Sequence, residues 1–382
     1  MKIVLYSNFL TVHQLPFCQV LDRLTGGAFV FVATNQLTRE YISLGYPDLD
    51  STCPFVLRTY EGEAQKQLAL QLAREADVVI HGSAPWFYIE ERLKLGKLTF
   101  LYSERLYKAG YERWKWPVRM VRFYRKFGRY KNLYLLCASA FTAADFAKTW
   151  TFLNRTFKWG YFPEVKRYED VTGLLNKKTP NTILWAGRFI GCKHPEYVIE
   201  VARRLKADGY DFNIRMLGNG VLWDDIRQQV QELGLEDCVQ LIGSVPAEQV
   251  RSYMEDASVY LFTSDRNEGW GAVLNESMNS GCAVVACSAI GSVPFLLRDG
   301  INGFTYESGN VDQLYEKVKF LLDNPEKGEE MGREAYETMA GMWNAEVAAE
   351  RLLRLSEALL HGEINPELFA DGPCSRAEIL RG

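Results

Sequence analysis

The sequence predicts an α/β protein built on two doubly wound parallel sheets, and three observations predict it. The chain of 382 residues exceeds what one hydrophobic core usually holds, so two domains are expected. Short, continuously apolar runs alternate with helical periodicity in both halves, the pattern of buried parallel strands covered by helices. Between the halves, Phe162–Pro180 lapses into polar residues, Pro and Gly, as an interdomain linker would.

In the first half, strands are expected at Lys2–Asn8, Ala28–Thr34, Phe55–Tyr60, Asp77–Ser83, Lys97–Ser103 and Leu133–Ser139, with a helix near Pro16–Thr25. Alternation restarts with strands at Thr182–Ala186, Asn213–Leu217, Val239–Ile242, Val259–Phe262 and Ala283–Ala286. Helices fit at Pro195–Lys206, Asp224–Leu233, Ala247–Met254 and Val311–Asp323. Trp343–Leu360 reads as a long amphipathic helix, and His361–Gly382 carries no readable pattern.

Composition narrows the class. No apolar run approaches the ~20 residues that span a bilayer, and the first residues read as a strand rather than a signal peptide. Eight cysteines without a Cys-x-x-Cys pair, and four histidines, argue against a metal centre and for a reducing, cytoplasmic setting. Residues 1–165 carry 22 Lys/Arg against 14 Asp/Glu, whereas the remainder carries 22 against 34. The basic half is expected to meet something anionic.

Glycines cluster where second-half strands end: Gly187-Arg188, then Gly218-Asn219-Gly220, then Gly243-Ser244-Val245. Open α/β sheets bind ligands beyond the carboxyl ends of their strands, so backbone amides there are expected to face a phosphate or a base. After the fourth strand comes Glu268-Gly269-Trp270-Gly271-Ala272-Val273-Leu274-Asn275-Glu276. Its glycines permit a tight loop that opens a helix whose amides can face an anion. Ionised glutamates suit vicinal hydroxyls, although the same loop could cap a helix with two solvated carboxylates. Arg188 and Lys193 can share a diphosphate, or be surface charge if taken alone.

In this order these segments, with Gly281–Ala286 and Asp299–Gly303, resemble the family-4 retaining glycosyltransferases of the GT-B fold, among them bacterial polysaccharide-biosynthesis enzymes. The resemblance runs over Asn181–Leu359. It implies two Rossmann-like domains facing a central cleft: an acceptor domain, 1–165 with a returning C-terminal helix 345–382, and a donor domain, 166–344. It implies that Arg188 and Lys193 bind the donor diphosphate, Glu276 the ribose, and Glu268 the transferred sugar. Gly187, Gly218 and Asn219 would line the nucleotide site, and Gly243, Ser244 and Val245 the base pocket. Gly269, Trp270, Gly271, Ala272, Val273 and Leu274 would supply loop contacts. The donor is expected to be a UDP or GDP sugar, with UDP favoured, and no cofactor or metal is expected. Asp48-Leu49-Asp50, similar to the metal motif of a different glycosyltransferase fold, reads as a turn.

The first half departs from the family pattern. Its first loop, Ser7–Gln14, lacks the usual Gly-Gly pair, and Tyr102–Arg105 lacks a histidine. His13 and Glu104 are the candidates for the vacated roles. For His13 a helix-start residue without a ligand is equally open, and for Glu104 a salt bridge to Arg105 or Lys108. His81 reads as an interior or rim histidine.

Tyr107–Tyr134 holds nine Lys/Arg, one acidic residue and nine aromatics. At helical spacing, Met120, Phe123, Tyr124, Phe127 and Tyr130 share one arc, and Arg119, Arg122, Arg125, Lys126 and Arg129 the other. That pattern suits a helix lying on a membrane surface or one packing its aromatic face on the core. Nucleic acid is disfavoured by the acidic second half. The expected activity is retaining transfer to a hydroxyl of a glycan or lipid-linked acceptor, by an enzyme peripheral to the inner face of the membrane. Rivals are another GT-B enzyme, such as an epimerase or phosphorylase, and a non-catalytic nucleotide-sugar-binding scaffold.

Overall fold

The computed structural model describes residues 1–38, 47–108, 116–364 and 366–380. The chain divides into two compact units, one of residues 1–164 with 343–382 and one of residues 165–342.

The first unit is built on seven strands: β1 (Ile3–Ser7), β2 (Phe29–Ala33), β3 (Val56–Arg58), β4 (Val78–His81), β5 (Thr99–Ser103), β6 (Leu133–Cys137) and β7 (Thr156–Lys158). They run parallel in the order β3-β2-β1-β4-β5-β6-β7. β1 and β6 are buried at every position, as expected of apolar strands covered on both faces. The helix Leu15–Leu24 packs against Ala345–Leu360, so the C-terminal helix belongs to this unit. Asn344 caps that helix by accepting from the Val347 amide at 3.0 Å.

Two features escape periodicity. β7 is three residues long, and the unreadable C-terminal stretch lies along it. Lys158 N donates to Ser375 O at 2.7 Å, Cys374 N to Lys158 O at 2.8 Å and Ala377 N to Thr156 O at 3.1 Å. These bonds cover a sheet edge that would otherwise be open.

The second unit has six parallel strands: β8 (Thr179–Ala186), β9 (Asn213–Leu217), β10 (Val239–Gly243), β11 (Ala257–Phe262), β12 (Ala283–Cys287) and β13 (Phe304–Tyr306). Their order is β10-β9-β8-β11-β12-β13. Part of the predicted linker is ordered here: Val171–Asn176 is helical with Leu174 and Leu175 buried, and β8 begins at Thr179. In each sheet the strand order reverses once, between β1 and β4 and between β8 and β11, and ligands of such sheets bind at the switch.

The basic aromatic segment takes the core-packing alternative where it is described; 109–115 lie outside the described residues. Phe123 and Phe127 meet the Phe146 ring at 5.9 and 5.6 Å, and Phe127 also meets Phe152. Tyr124 leaves the predicted arc and is exposed, because a π-helical turn, Tyr124–Gly128, shifts the register there.

Candidate functional site

At the switch of the second sheet, the chain leaving β8 and the chain leaving β11 are bonded to one another. Lys193 ends a short 3₁₀ turn, Gly191–Lys193. Its carbonyl accepts from Thr263 Oγ1 at 2.6 Å, and that hydroxyl accepts from Trp185 Nε1 at 2.8 Å. The Asp265 amide donates to Cys192 O at 2.9 Å. On this frame Lys193 Nζ forms an ion pair with Glu268, both side chains being 17% exposed. A second link runs parallel: His194 reaches Glu196 Oε1 from Nδ1 at 2.7 Å and Asp265 Oδ2 from Nε2 at 3.4 Å, and stacks on Tyr197 at 4.5 Å. The Glu196 hydrogen bond raises the His194 pKa. Arg188 is exposed and has no side-chain partner among the described residues. Two cations and a carboxylate therefore occupy the strand ends where a ligand of this sheet would lie.

The glutamate loop is held from behind. Trp270 is buried and donates to Asn275 Oδ1 at 2.9 Å. Gly271 has φ +82°, and a Cβ there would stand 2.4 Å from the Phe262 ring, so only glycine fits. The helix that follows, Val273–Asn279, has seven residues and supplies little dipole. Burial raises the Glu276 carboxyl above the ordinary range, with Arg251 pulling the other way.

The strand-end glycines do something other than expected. Gly187 N donates to Leu217 O at 3.0 Å and Gly218 N to Gly243 O at 2.8 Å, so these two amides are already committed. A Cβ on Gly218 would lie 1.9 Å from Gly187 O, and one on Gly220 2.5 Å from Phe189 O. The glycines let neighbouring loops touch. They brace Gly187, Gly218, Asn219 and Gly243 as a floor, whereas Ser244 is exposed and Val245 partly so.

At the switch of the first sheet the candidates are engaged with aromatics. His13 stacks on Tyr161 at 6.3 Å, and Tyr161 Oη donates to Glu104 Oε1 at 2.6 Å. Lys108 donates to Glu104 Oε2 at 2.7 Å, one of the alternatives the sequence allowed. Burial lowers the His13 pKa, and the adjoining cavity, lined by Tyr102, Trp159 and Phe162, is about 10 Å³. His81 is buried: Nε2 lies 3.4 Å from Pro85 O, Nδ1 has no partner among the described residues, and desolvation lowers its pKa to about 4. Asp50 is more than a turn residue. Its buried carboxylate accepts from the Leu10 amide at 2.9 Å and pins the loop after β1.

Sequence reasoning missed Tyr161 and His194. Tyr161 follows a strand too short to notice. His194 had a signal, a histidine between a candidate cation and the proline that starts a helix.

Residues 167–338 match the family model for glycosyl transferases group 1. Over 164 residues the chain is 29% identical to an uncharacterized glycosyltransferase of Methanocaldococcus jannaschii, covering 43% of this chain and 44% of the relative. It is 30% identical over 140 residues to the amylovoran biosynthesis glycosyltransferase AmsK of Erwinia amylovora, covering 35% and 34%. The chain thus spans less than half the length of these curated relatives. Solved structures of HepE from Anabaena, bound to UDP and to UDP-glucose, superpose with TM-scores of 0.69 and 0.63 at 14% and 13% identity, covering 94% of this chain and all of HepE. The fold is GT-B, with two parallel-sheet α/β domains.

Proposed function

We propose that this chain is a family-4 retaining glycosyltransferase that moves a sugar from a nucleotide-diphosphate sugar, UDP type favoured, to a hydroxyl of a glycan or lipid-linked acceptor. The observation that carries the reading is the Lys193–Glu268 pair at the second switch, near Arg188, which has no side-chain partner among the described residues. The family match over the same unit supports it. In this reading Arg188 and Lys193 take the charge that develops on the diphosphate as its bond to the anomeric carbon breaks. The acceptor oxygen bonds that carbon from the vacated face, and its proton passes to the departing diphosphate oxygen. Lys193 must turn from Glu268 toward the phosphates, which frees Glu268 for the sugar hydroxyls. Glu276, raised in pKa by burial, recovers hydrogen bonds when ribose hydroxyls reach it.

In the first unit, His13 and Glu104 bear on the acceptor through Tyr161. The cationic stripe Arg122–Arg129 supports the part of the reading in which the enzyme works peripherally on the cytoplasmic membrane face. Among the described residues no helix is long and apolar enough to cross a membrane.

The test is a thermal-shift panel of UDP, GDP, ADP and CMP with their common sugar conjugates. A ligand at 100 times its dissociation constant adds about 2.7 kcal/mol. Stabilisation by one nucleoside diphosphate, abolished in Arg188→Ala and Glu276→Ala, supports the donor site and names the base. No shift with any of them sinks the proposal and favours a non-catalytic scaffold.

A further inference from the structure

A groove of about 780 Å³ lies beside the cationic helix of the first unit, lined among others by Trp86, Val118, Val121, Arg122, Arg125 and Lys126. Its chemistry is graded along the helix. At the N-terminal end Val118 and Val121 are 73% and 52% exposed among the described residues, an apolar surface open to solvent there. One turn on, Arg122, Arg125, Lys126 and Arg129 follow at helical spacing, and among the described residues the only carboxylate lining the groove is Glu90. Arg122 and Arg125 form no ion pair among the described residues. Lys126 Nζ rests 4.8 Å from the centroid of the Trp86 ring, which holds the ammonium at the groove wall. The opposite face of the helix is consumed by Phe146 and Phe152, so this outward face is the one left to meet a partner.

Clustered cations call for an anion. Exposed valines beside them call for an apolar chain. A free phosphate would satisfy only the first, and an acidic protein surface would leave the valines wet. We propose that the groove seats the phosphate head group of an anionic membrane lipid, with Arg122 and Arg125 on the phosphate and Val118 and Val121 against the acyl chain. The inference deepens, and rests on, the membrane-surface part of the proposed function. It moves that contact from the aromatic arc, which is packed, to a defined seat.

The experiment is co-sedimentation of the full chain with phosphatidylcholine vesicles, with and without phosphatidylglycerol. Wild-type protein is expected to sediment only with the anionic vesicles. The double variant Arg122→Gln/Arg125→Gln is expected to bind about 30-fold more weakly, the share of two basic residues near a surface. Val118→Ser/Val121→Ser, which leaves the charge unchanged, is expected to lose about tenfold. These four positions are exposed, so unchanged melting temperatures are expected and verify the fold. Equal binding to both vesicle types, binding to neither, or wild-type binding by the arginine variant overturns the proposal. Loss in the arginine variant with none in the valine variant also overturns it, since attraction to a charged surface would then suffice. Stabilisation by inorganic phosphate without vesicle binding does the same. Nucleotide stabilisation measured on the same samples tests the donor reading separately, so either can fail alone.

Discussion

The two sheets reverse their strand order at equivalent places, yet the two switches are furnished in opposite ways. Beyond β8 and β11 stand Lys193, Glu268, His194 and Asp265, joined in two parallel polar links between loops. After β1 stands His13, stacked on Tyr161, and at the end of β4 stands His81, buried against Trp86. The topology is shared, and the chemistry comes from what the loops carry. The second switch holds the Lys193–Glu268 pair with the exposed Arg188 close by, charges that a diphosphate could exchange for its own. The first offers aromatic walls and a glutamate already engaged.

The comparison breaks most readily at Lys193. If the second switch holds the transferring diphosphate, Lys193→Ala should slow transfer about 10²–10³-fold, the usual loss when one preorganised charge partner is removed. The His13→Ala change at the first switch should cost less than about tenfold, since its ring lies against Tyr161 rather than beside free charge. Nucleotide release under saturating donor measures both. Equal losses would show that the asymmetry between the switches has no bearing on turnover.

Stability sharpens the comparison next. His81 titrates with a folded pKa of about 4 against an ordinary 6.5, so the unfolded chain binds the proton more tightly. The stability this residue contributes is present above pH 6.5 and is lost as pH falls toward 4, by about 3 kcal/mol at most. Urea midpoints between pH 4 and 7 should therefore fall less steeply in His81→Gln than in the wild type. Gly218→Ala should cost about 2–4 kcal/mol at neutral pH, because its Cβ would enter a neighbouring backbone at positive φ. Gly209→Ala, also at positive φ but with nothing within 4 Å, should cost only about 1 kcal/mol. Similar losses at the two glycines would mean that the loop floor is not braced as described.

How legible these features were depended on whether their cause was local. β12 and the apolar ends of β8 and β11, Ile183–Ala186 and Val259–Phe262, are continuous apolar runs and read directly as strands. β7 and β13 are three residues each, too short for any period to register. The glycines ending β8 and β9 were legible as special positions, but not their reason. Gly218 answers to the backbone of Gly187, far away in sequence, and the expected ligand contact was a loop contact. The pairing of Cys374 and Ser375 with β7 runs through main-chain atoms and leaves no mark on side-chain pattern. The basic segment was read correctly as amphipathic, and its π-helical turn broke the ideal spacing that assigned Tyr124 to the aromatic face.

The smallest effect is the one most specific to the second switch. His194 sits at φ +48°, a conformation that costs a non-glycine residue roughly 1 kcal/mol, and its bonds to Glu196 and Asp265 offset that cost. Its pKa is raised above 6.5, so the folded state holds the proton more tightly than the unfolded chain. The resulting stability is fully present below pH 6.5 and is lost as pH rises through the raised value, opposite in sign to His81. The groups that face the imidazole are Glu196 and Tyr197 on its own helix, Lys193 before it, and Asp265 on the loop after β11. The two carboxylates are the ones that favour the proton. A His194→Gly variant should relieve the backbone and erase the pH term together, leaving neutral-pH stability changed by less than about 1 kcal/mol. Its urea midpoint should no longer decline as pH rises above 6.5, as the wild-type midpoint does. If the decline persists, the link between the loops does not depend on the imidazolium, and the two switches differ in charge without differing in how protons hold them.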